Sequence, residues 1–167
     1  MKIVKINDLD LHISCLKIEN YIEKVNPDWI IPICSGGEMV RLYSLNFFSN
    51  YKIHKVCIRH KENKFLKKLV RYLPEFITDL MRKLDCIRPK SDFREIQIGD
   101  IDKVQGKVVI LDDAIDTGRT IRILKSYLEG RYIKTVVINN IRGSKLSDFS
   151  LYDNVLIKFP WNNDYKV

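Results

Sequence analysis

Three carboxylates, two hydroxyls and a glycine fall within Asp112–Thr120, directly after an apolar run, in the stretch VVILDDAIDTGRT (Val108–Thr120). A helix starting at Asp116–Thr117 would offer backbone N–H groups that have no intrahelical partner, at the positive end of the macrodipole. Gly118 lets the backbone approach a ligand closely, and the Thr117 and Thr120 hydroxyls add donors, so DTGRT is suited to hold a phosphate. Asp112 and Asp113 cannot face that same phosphate without repulsion; their chemistry fits sugar hydroxyls or a divalent cation. A phosphate cradle with an acidic rim describes a sugar-phosphate site. Helix capping would account for any one of these residues, but capping needs one acid and this segment has three. Neither GxxxxGK[ST] nor GxGxxG occurs in the chain, so the common nucleotide motifs do not compete.

Such a loop needs a rigid frame, and the apolar pattern supplies one. Ile13, Leu16, Tyr21, Ile22 and Val25 recur at helical spacing and predict a first helix stopped by Asn26–Asp28. WIIPIC (Trp29–Cys34), bounded by the turn former SGG, reads as a strand buried on both faces, with a helix over Glu38–Phe48 after it. HKVCIR (His54–Arg59), KVVILD (Lys107–Asp112), KTVVIN (Lys134–Asn139) and NVLIKF (Asn154–Phe159) repeat the strand pattern. GRTIRILKSYLEG reads as a helix closed by Gly130. Alternating strands and helices predict an α/β fold, a parallel twisted sheet with helices on both faces. Ligands of such sheets bind at the carboxyl ends of the strands, where the unusual residues stand.

The 167 residues suit one domain with a sizeable core. No internal repeat or low-complexity segment is present. The chain holds no apolar run long enough for a membrane helix and no secretory leader pattern, so a cytoplasmic protein without membrane association is expected. Cys15, Cys34, Cys57 and Cys86 are scattered without a CxxC pair and read as reduced core residues. His12, His54 and His60 suggest no metal site. The net charge of +8 is local: thirteen Lys and Arg stand against five acids between Tyr51 and Arg94, and the remaining chain balances. Within that region Leu66, Leu69, Leu73, Phe76, Ile77, Leu80, Met81 and Leu84 form a helical stripe interrupted by Pro74. Residues 61–94 are therefore read as a basic helical insert after the second strand, either two short helices or one kinked helix. It serves as a lid or subunit contact rather than a nucleic-acid surface, because it lacks aromatics spaced for base stacking.

VVILDDAIDTGRT resembles the phosphoribosyl pyrophosphate binding motif of the type I phosphoribosyltransferases. PDWIIPICSGGEMVRL (Pro27–Leu42) is similar to that family's first strand and pyrophosphate loop, and LIKFPW (Leu156–Trp161) to the base-binding segment of its purine-salvage branch. The resemblance implies an enzyme that transfers ribose 5-phosphate from phosphoribosyl pyrophosphate to a purine nitrogen, with Mg2+ neutralising the departing pyrophosphate. It implies that Asp112 and Asp113 bind the ribose hydroxyls directly or through Mg2+, that Thr117, Gly118, Arg119 and Thr120 cradle the 5-phosphate, and that Asp116 faces the base as proton acceptor. Ser35, Gly36 and Gly37 would hold pyrophosphate, with a non-proline cis peptide at Cys34–Ser35.

Arg142, Leu156, Ile157 and Trp161 are the implied base-binding residues, and four positions there and in the loop depart from the family pattern. Arg142 stands where a Lys is usual, Leu156 where an aromatic stacks, Asn162 at a position often acidic, and Ser35 where a Lys or Arg is common. A 6-oxopurine such as hypoxanthine, guanine or xanthine is the first expectation and adenine the second. A binding protein that regulates transcription is a third reading, against which stand the retained Asp116 and the lack of a helix-turn-helix extension. The family commonly pairs subunits, which implies a homodimer. Part of Arg59–Lys68 is expected to close over the pyrophosphate and exclude water.

Overall fold

The computed structural model describes residues 1–59, 72–87, 95–162 and 165. Strand β1 (Lys2–Lys5) leads to helix α1 (Asp8–Val25), whose start is set by a capping box: Asn7 Oδ1 accepts from the Asp10 amide at 2.8 Å and Asp10 Oδ2 from the Asn7 amide at 3.2 Å. Leu11, Cys15, Ile18 and Ile22 form its buried stripe, and Asn26 ends it in the left-handed region at φ 47°. Strand β2 (Trp29–Cys34) follows, then helices α2 (Gly36–Tyr43) and α3 (Leu45–Phe48). The single helix expected over Glu38–Phe48 thus begins earlier and breaks at Ser44, whose ψ of 38° is not helical.

Strands β3 (Lys52–Ile53) and β4 (Val56–Arg59), helix α4 (Glu75–Ile87), strand β5 (Glu95–Gln97) and a 3-10 turn (Ile101–Lys103) lead to β6 (Lys107–Ile115). Helix α5 (Arg119–Tyr127) and strands β7 (Tyr132–Asn140), β8 (Phe149–Asp153) and β9 (Val155–Lys158) complete the chain. The main sheet has the order β5-β4-β2-β6-β7-β8, with β3 also on β2, and every pairing is parallel except β4–β5. Alternation along β6 buries Val109 and Leu111 against α1 and α2, and Val108 and Ile110 against α5. Both faces are covered, as the continuous apolar runs predict.

Pro32 is tolerated in this central strand for a local reason. The Ile30 carbonyl accepts from the His54 amide, so by alternation Pro32 faces the same edge, where the neighbour changes from β3, ending at Ile53, to β4, starting at Val56. Its missing donor falls in that gap. The expected strand NVLIKF forms as β9 but leaves the main sheet, pairing in parallel with β1. Helix α5 ends at Tyr127, and Gly130 (φ 81°) serves the turn beyond it rather than its last cap.

Of the basic insert, α4 is described; residues 60–71 and 88–94 lie outside the described residues, and with them the stripe positions Leu66 and Leu69. The Pro74 carbonyl accepts from the Ile77 and Thr78 amides, so the proline opens this helix rather than kinking one. No helix among the described residues is long and apolar enough to cross a membrane. All four thiols are free, but only Cys15 is buried; Cys57 is exposed and Cys34 and Cys86 are intermediate, which corrects the reading of all four as core residues.

Candidate active site

Two crossovers deliver the candidate residues to the carboxyl ends of neighbouring strands. β2 ends in a cis peptide at Cys34–Ser35, as expected, and enters α2 at Gly36. β6 runs further than predicted, so Asp112 and Asp113 lie within the strand, and the helix after it starts at Arg119 instead of Asp116. Both glycines of the first loop are required by proximity. A Cβ on Gly36 would stand 2.0 Å from Asp113 Oδ1, and one on Gly37 2.1 Å from the Leu111 carbonyl oxygen. Gly118 adopts φ 71°, and a Cβ there would also meet Leu146 Cδ1 at 1.9 Å.

Between the two loops lies a cavity of about 230 Å3 lined by Cys34, Ser35, Gly36 and the whole of Asp112–Thr120. The helices α2 and α5, which begin at its wall, have no side-chain cap, in contrast to the full capping box on α1. Helix N-termini left without a capping side chain keep first-turn amides for an anion. Gly37 reaches the same place from behind: its amide donates to the Asp112 carboxyl. The structure therefore brings Ser35, Gly36, Asp112, Asp113 and Asp116–Thr120 together around one cavity, while Gly37, expected beside pyrophosphate, stands behind it with its amide turned to Asp112.

The carboxylates carry the electrostatic tension of the site. Burial, then the neighbouring Asp113 charge, pushes Asp112 well above the usual carboxylate range. Burial also raises Asp113, with partial relief from the Trp161 indole, whose Nε1–H donates to Asp113 Oδ2 at 3.1 Å. Two adjacent half-buried carboxyl groups that resist joint ionisation fit a divalent cation, which would favour both anions. No cluster of three or more His, Cys, Asp or Glu occurs among the described residues. An ion at Asp112 and Asp113 would thus draw further ligands from substrate and water, as Mg2+ does at phosphate sites.

The four residues expected to bind the base do not line this cavity; Arg142 and Trp161 touch it only through Asp116 and Asp113, which do. Arg142 Nε donates to Asp116 Oδ1 at 2.9 Å, and its terminal nitrogen donates to the Cys86 carbonyl on α4 at 2.5 Å. Trp161 stacks on Phe159 with centroids 4.8 Å apart and planes 5° from parallel. Leu156 and Ile157 are buried in β9 and do not line the cavity; Ile157 and Phe159 belong to the core on the α1 side. The Ile157 carbonyl accepts from Arg82 of α4 at 3.2 Å.

Sequence reasoning missed this docking of α4 on β9. Lys158, 1% exposed, holds Glu75 at 3.0 Å and pairs with Asp79, and although burial opposes its charge, these carboxylates leave its pKa above the ordinary value. A lysine inside the strand pattern VLIK, opposite acids spaced i, i+4 on the amphipathic insert, was the available signal. Also missed was the cluster behind the first loop, where Glu38 takes two hydrogen bonds from Arg41 and one from Lys55.

No protein-family model matches the chain, and no curated protein matches its sequence. Solved structures do match. A purine phosphoribosyltransferase from Pyrococcus horikoshii superposes with a TM-score of 0.66 at 17% identity, covering 100% of this chain and 98% of that one. A xanthine-guanine-hypoxanthine phosphoribosyltransferase from Helicobacter pylori gives 0.61 at 12% identity, with 95% and 91% covered. A hypothetical protein from Neisseria gonorrhoeae with bound ppGpp gives 0.60 at 15% identity, with 96% and 89% covered. The chain thus has the phosphoribosyltransferase fold that its motifs imply.

Proposed function

We propose that the chain is a purine phosphoribosyltransferase, taking ribose 5-phosphate from phosphoribosyl pyrophosphate and giving a nucleoside 5'-monophosphate and pyrophosphate. The observation that carries this reading is the convergence of two uncapped helix starts and the Asp112–Asp113 pair on one cavity. One helix start suits a 5-phosphate at Thr117–Thr120, the other a pyrophosphate at Ser35–Gly37, and the carboxylates between them suit the ribose hydroxyls and Mg2+. Bound there, Mg2+ would neutralise charge on the departing pyrophosphate. The chain's own contribution is positioning and charge: its amides hold the two anionic ends so that the sugar carbon between them faces the base.

Asp116 accepts the proton of the incoming base nitrogen in this reading, and Arg142 positions it. Arg142 Nε holds Asp116 Oδ1 at 2.9 Å, which fixes the orientation of a carboxylate that lines the cavity. Arg142 also has donors for an exocyclic oxygen, which favours a 6-oxopurine over adenine. Trp161 would face the ring from the Phe159 stack. Release of pyrophosphate from phosphoribosyl pyrophosphate and Mg2+ with hypoxanthine, guanine, xanthine or adenine tests the proposal, and Asp116→Asn should lower kcat/KM by about 100-fold or more. Tight binding of the sugar substrate without turnover of any base would instead favour a binding protein. The Neisseria structure with bound ppGpp is the observation on that side.

A further inference from the structure

Cys34 and Cys57 lie side by side where β2 enters the first loop. They are register partners in the parallel β2–β4 pairing, and the Cys57 thiol stands 2.9 Å from Cys34 Sγ. Neighbouring strands run about 4.8 Å apart, which falls inside the roughly 4.4–6.8 Å range of Cα separations that a disulfide spans. The two thiols differ in access. Cys57 is exposed, whereas Cys34 lines the cavity and precedes the cis peptide, and burial pushes its thiol up to about 11, with the hydrogen bond from Cys57 acting in the same direction. Cys15 is buried in the core under α1 and takes no part in this pair.

We propose that Cys34 and Cys57 form a redox modification site, which takes a small-molecule disulfide such as oxidised glutathione and closes into a reversible cross-link that retunes the anion loop. The chemistry balances in two exchanges. The Cys57 thiolate attacks one sulfur of the oxidant, breaking its S–S bond and releasing one thiolate, to leave a mixed disulfide on Cys57. Cys34, giving its proton to solvent, attacks Cys57 Sγ and expels the second thiolate, so two protein thiols are oxidised and one disulfide is reduced to two thiols. Exposure makes Cys57 the thiol that meets the oxidant, and a distance of 2.9 Å from Cys57 Sγ makes Cys34 the one that resolves it.

The cross-link matters because Cys34–Gly37 has no slack on its other side. Gly36 abuts the Asp113 carboxylate and Gly37 the Leu111 carbonyl, so a pull on Cys34 toward β4 draws the loop off β6. If the loop holds pyrophosphate, as proposed above, oxidation weakens that binding. The covalent claim itself does not rest on that reading.

The test treats the full-length protein with oxidised glutathione, maps the cysteine peptides by mass spectrometry, and titrates Mg2+-pyrophosphate by calorimetry before and after. The expected result is a Cys34–Cys57 linked peptide, a loss of pyrophosphate affinity of about tenfold or more, since misplacing a binding group by about 1 Å is costly, and recovery with dithiothreitol. Cys57→Ser should bind as the reduced protein does and ignore the oxidant. Unlinked cysteines, or only glutathione adducts, after full exposure would overturn the site, and a linked form with unchanged affinity would overturn the control of the loop. Reduced protein that binds no pyrophosphate would count against the phosphoribosyltransferase reading instead, while the linked peptide still decides the modification site.

Discussion

Gly37→Ala pits two known effects against each other, and the structure decides between them. Gly37 lies in the first turn of α2, where alanine is the better helix former by about 1 kcal/mol. Yet its Cβ would stand 2.1 Å from the Leu111 carbonyl oxygen and 3.2 Å from Asp112 Cα, and contacts under 3.0 Å do not survive in real proteins. Both obstacles are backbone atoms of the central strand, so no side-chain rotation relieves the clash; α2 must lift from β6. Overpacking of that kind costs about 1–3 kcal/mol, sometimes more. Set against the propensity gain, the net loss is about 0–2 kcal/mol, or a fall in Tm of up to about 8 °C at this chain length.

Lifting α2 also removes the Gly37 amide from Asp112 and displaces Ser35 and Gly36, so pyrophosphate affinity should fall by at least about tenfold. Gly130→Ala is the matched control. Its Cβ meets nothing within 4 Å, but φ is 81°, and the left-handed conformation costs an alanine roughly 1–2 kcal/mol. Thermal melts should therefore show similar losses for the two variants, while calorimetry with Mg2+-pyrophosphate should show a loss for Gly37→Ala alone. A Gly37→Ala protein more stable than the parent, with intact binding, would refute the close seating of α2 on β6 and the positioning role of the loop.

Three further perturbations follow from the contacts. Hydrogen bonds from Arg41 and then Lys55, against opposing burial, take Glu38 from its ordinary 4.5 down to about 2; a depressed carboxyl stabilises the fold above its ordinary value and loses that contribution as pH falls toward 2, so the stability gap between parent and Glu38→Gln should close across that interval in urea melts. The Glu75→Gln/Asp79→Asn double variant strands the Lys158 ammonium, which is 1% exposed, and should cost about 3–5 kcal/mol. Lys158→Met leaves two carboxylates that are 51% and 32% exposed and can hydrate, and should cost less, and the reverse order in denaturant melts would contradict the buried placement of Lys158. Trp161→Phe keeps a ring against Phe159 but removes the N–H that lowers Asp113; the carboxyl then rises, so the pH at which Mg2+-pyrophosphate binding reaches half strength should move up, and an unchanged midpoint would deny the Trp161–Asp113 contact.

The parts of the fold that local chemistry determines were legible in the sequence. A strand buried on both faces must be apolar throughout, so β2, β6 and β7 announced themselves, and the residues that close them marked the two loops. The candidate cavity was legible in part for the same reason: Asp112–Thr120 is a contiguous segment whose composition departs from what capping requires, whereas Ser35–Gly36 read as a turn and was marked only by the family resemblance. The errors at these elements were of extent. β6 continues through Asp113 because β7 supplies partners as far as Asn140, and a register partner on another strand leaves no mark in the local run.

What the sequence hid is pairing between distant segments, and the base side of the site depends on it. NVLIKF carries the apolar pattern of any core strand, yet its partner is β1, at the far end of the chain. Leu156 and Ile157 are both buried there, clear of the cavity, which leaves Trp161, just beyond the strand, to reach Asp113. The same placement buries Lys158, and a buried ammonium needs acids: Glu75 and Asp79, one helical turn apart, supply them and fasten α4 over the strand. Arg82 and the Cys86 carbonyl then extend the fastening to Ile157 and to Arg142, and through Arg142 to Asp116. A segment that in sequence is notable for its positive charge thus docks on β9 through two acids and Arg82, and reaches Arg142 through one backbone carbonyl. Under the proposed function, the place where α4, β9 and Arg142 meet is the base side of the site, and substitutions there should change which base is accepted.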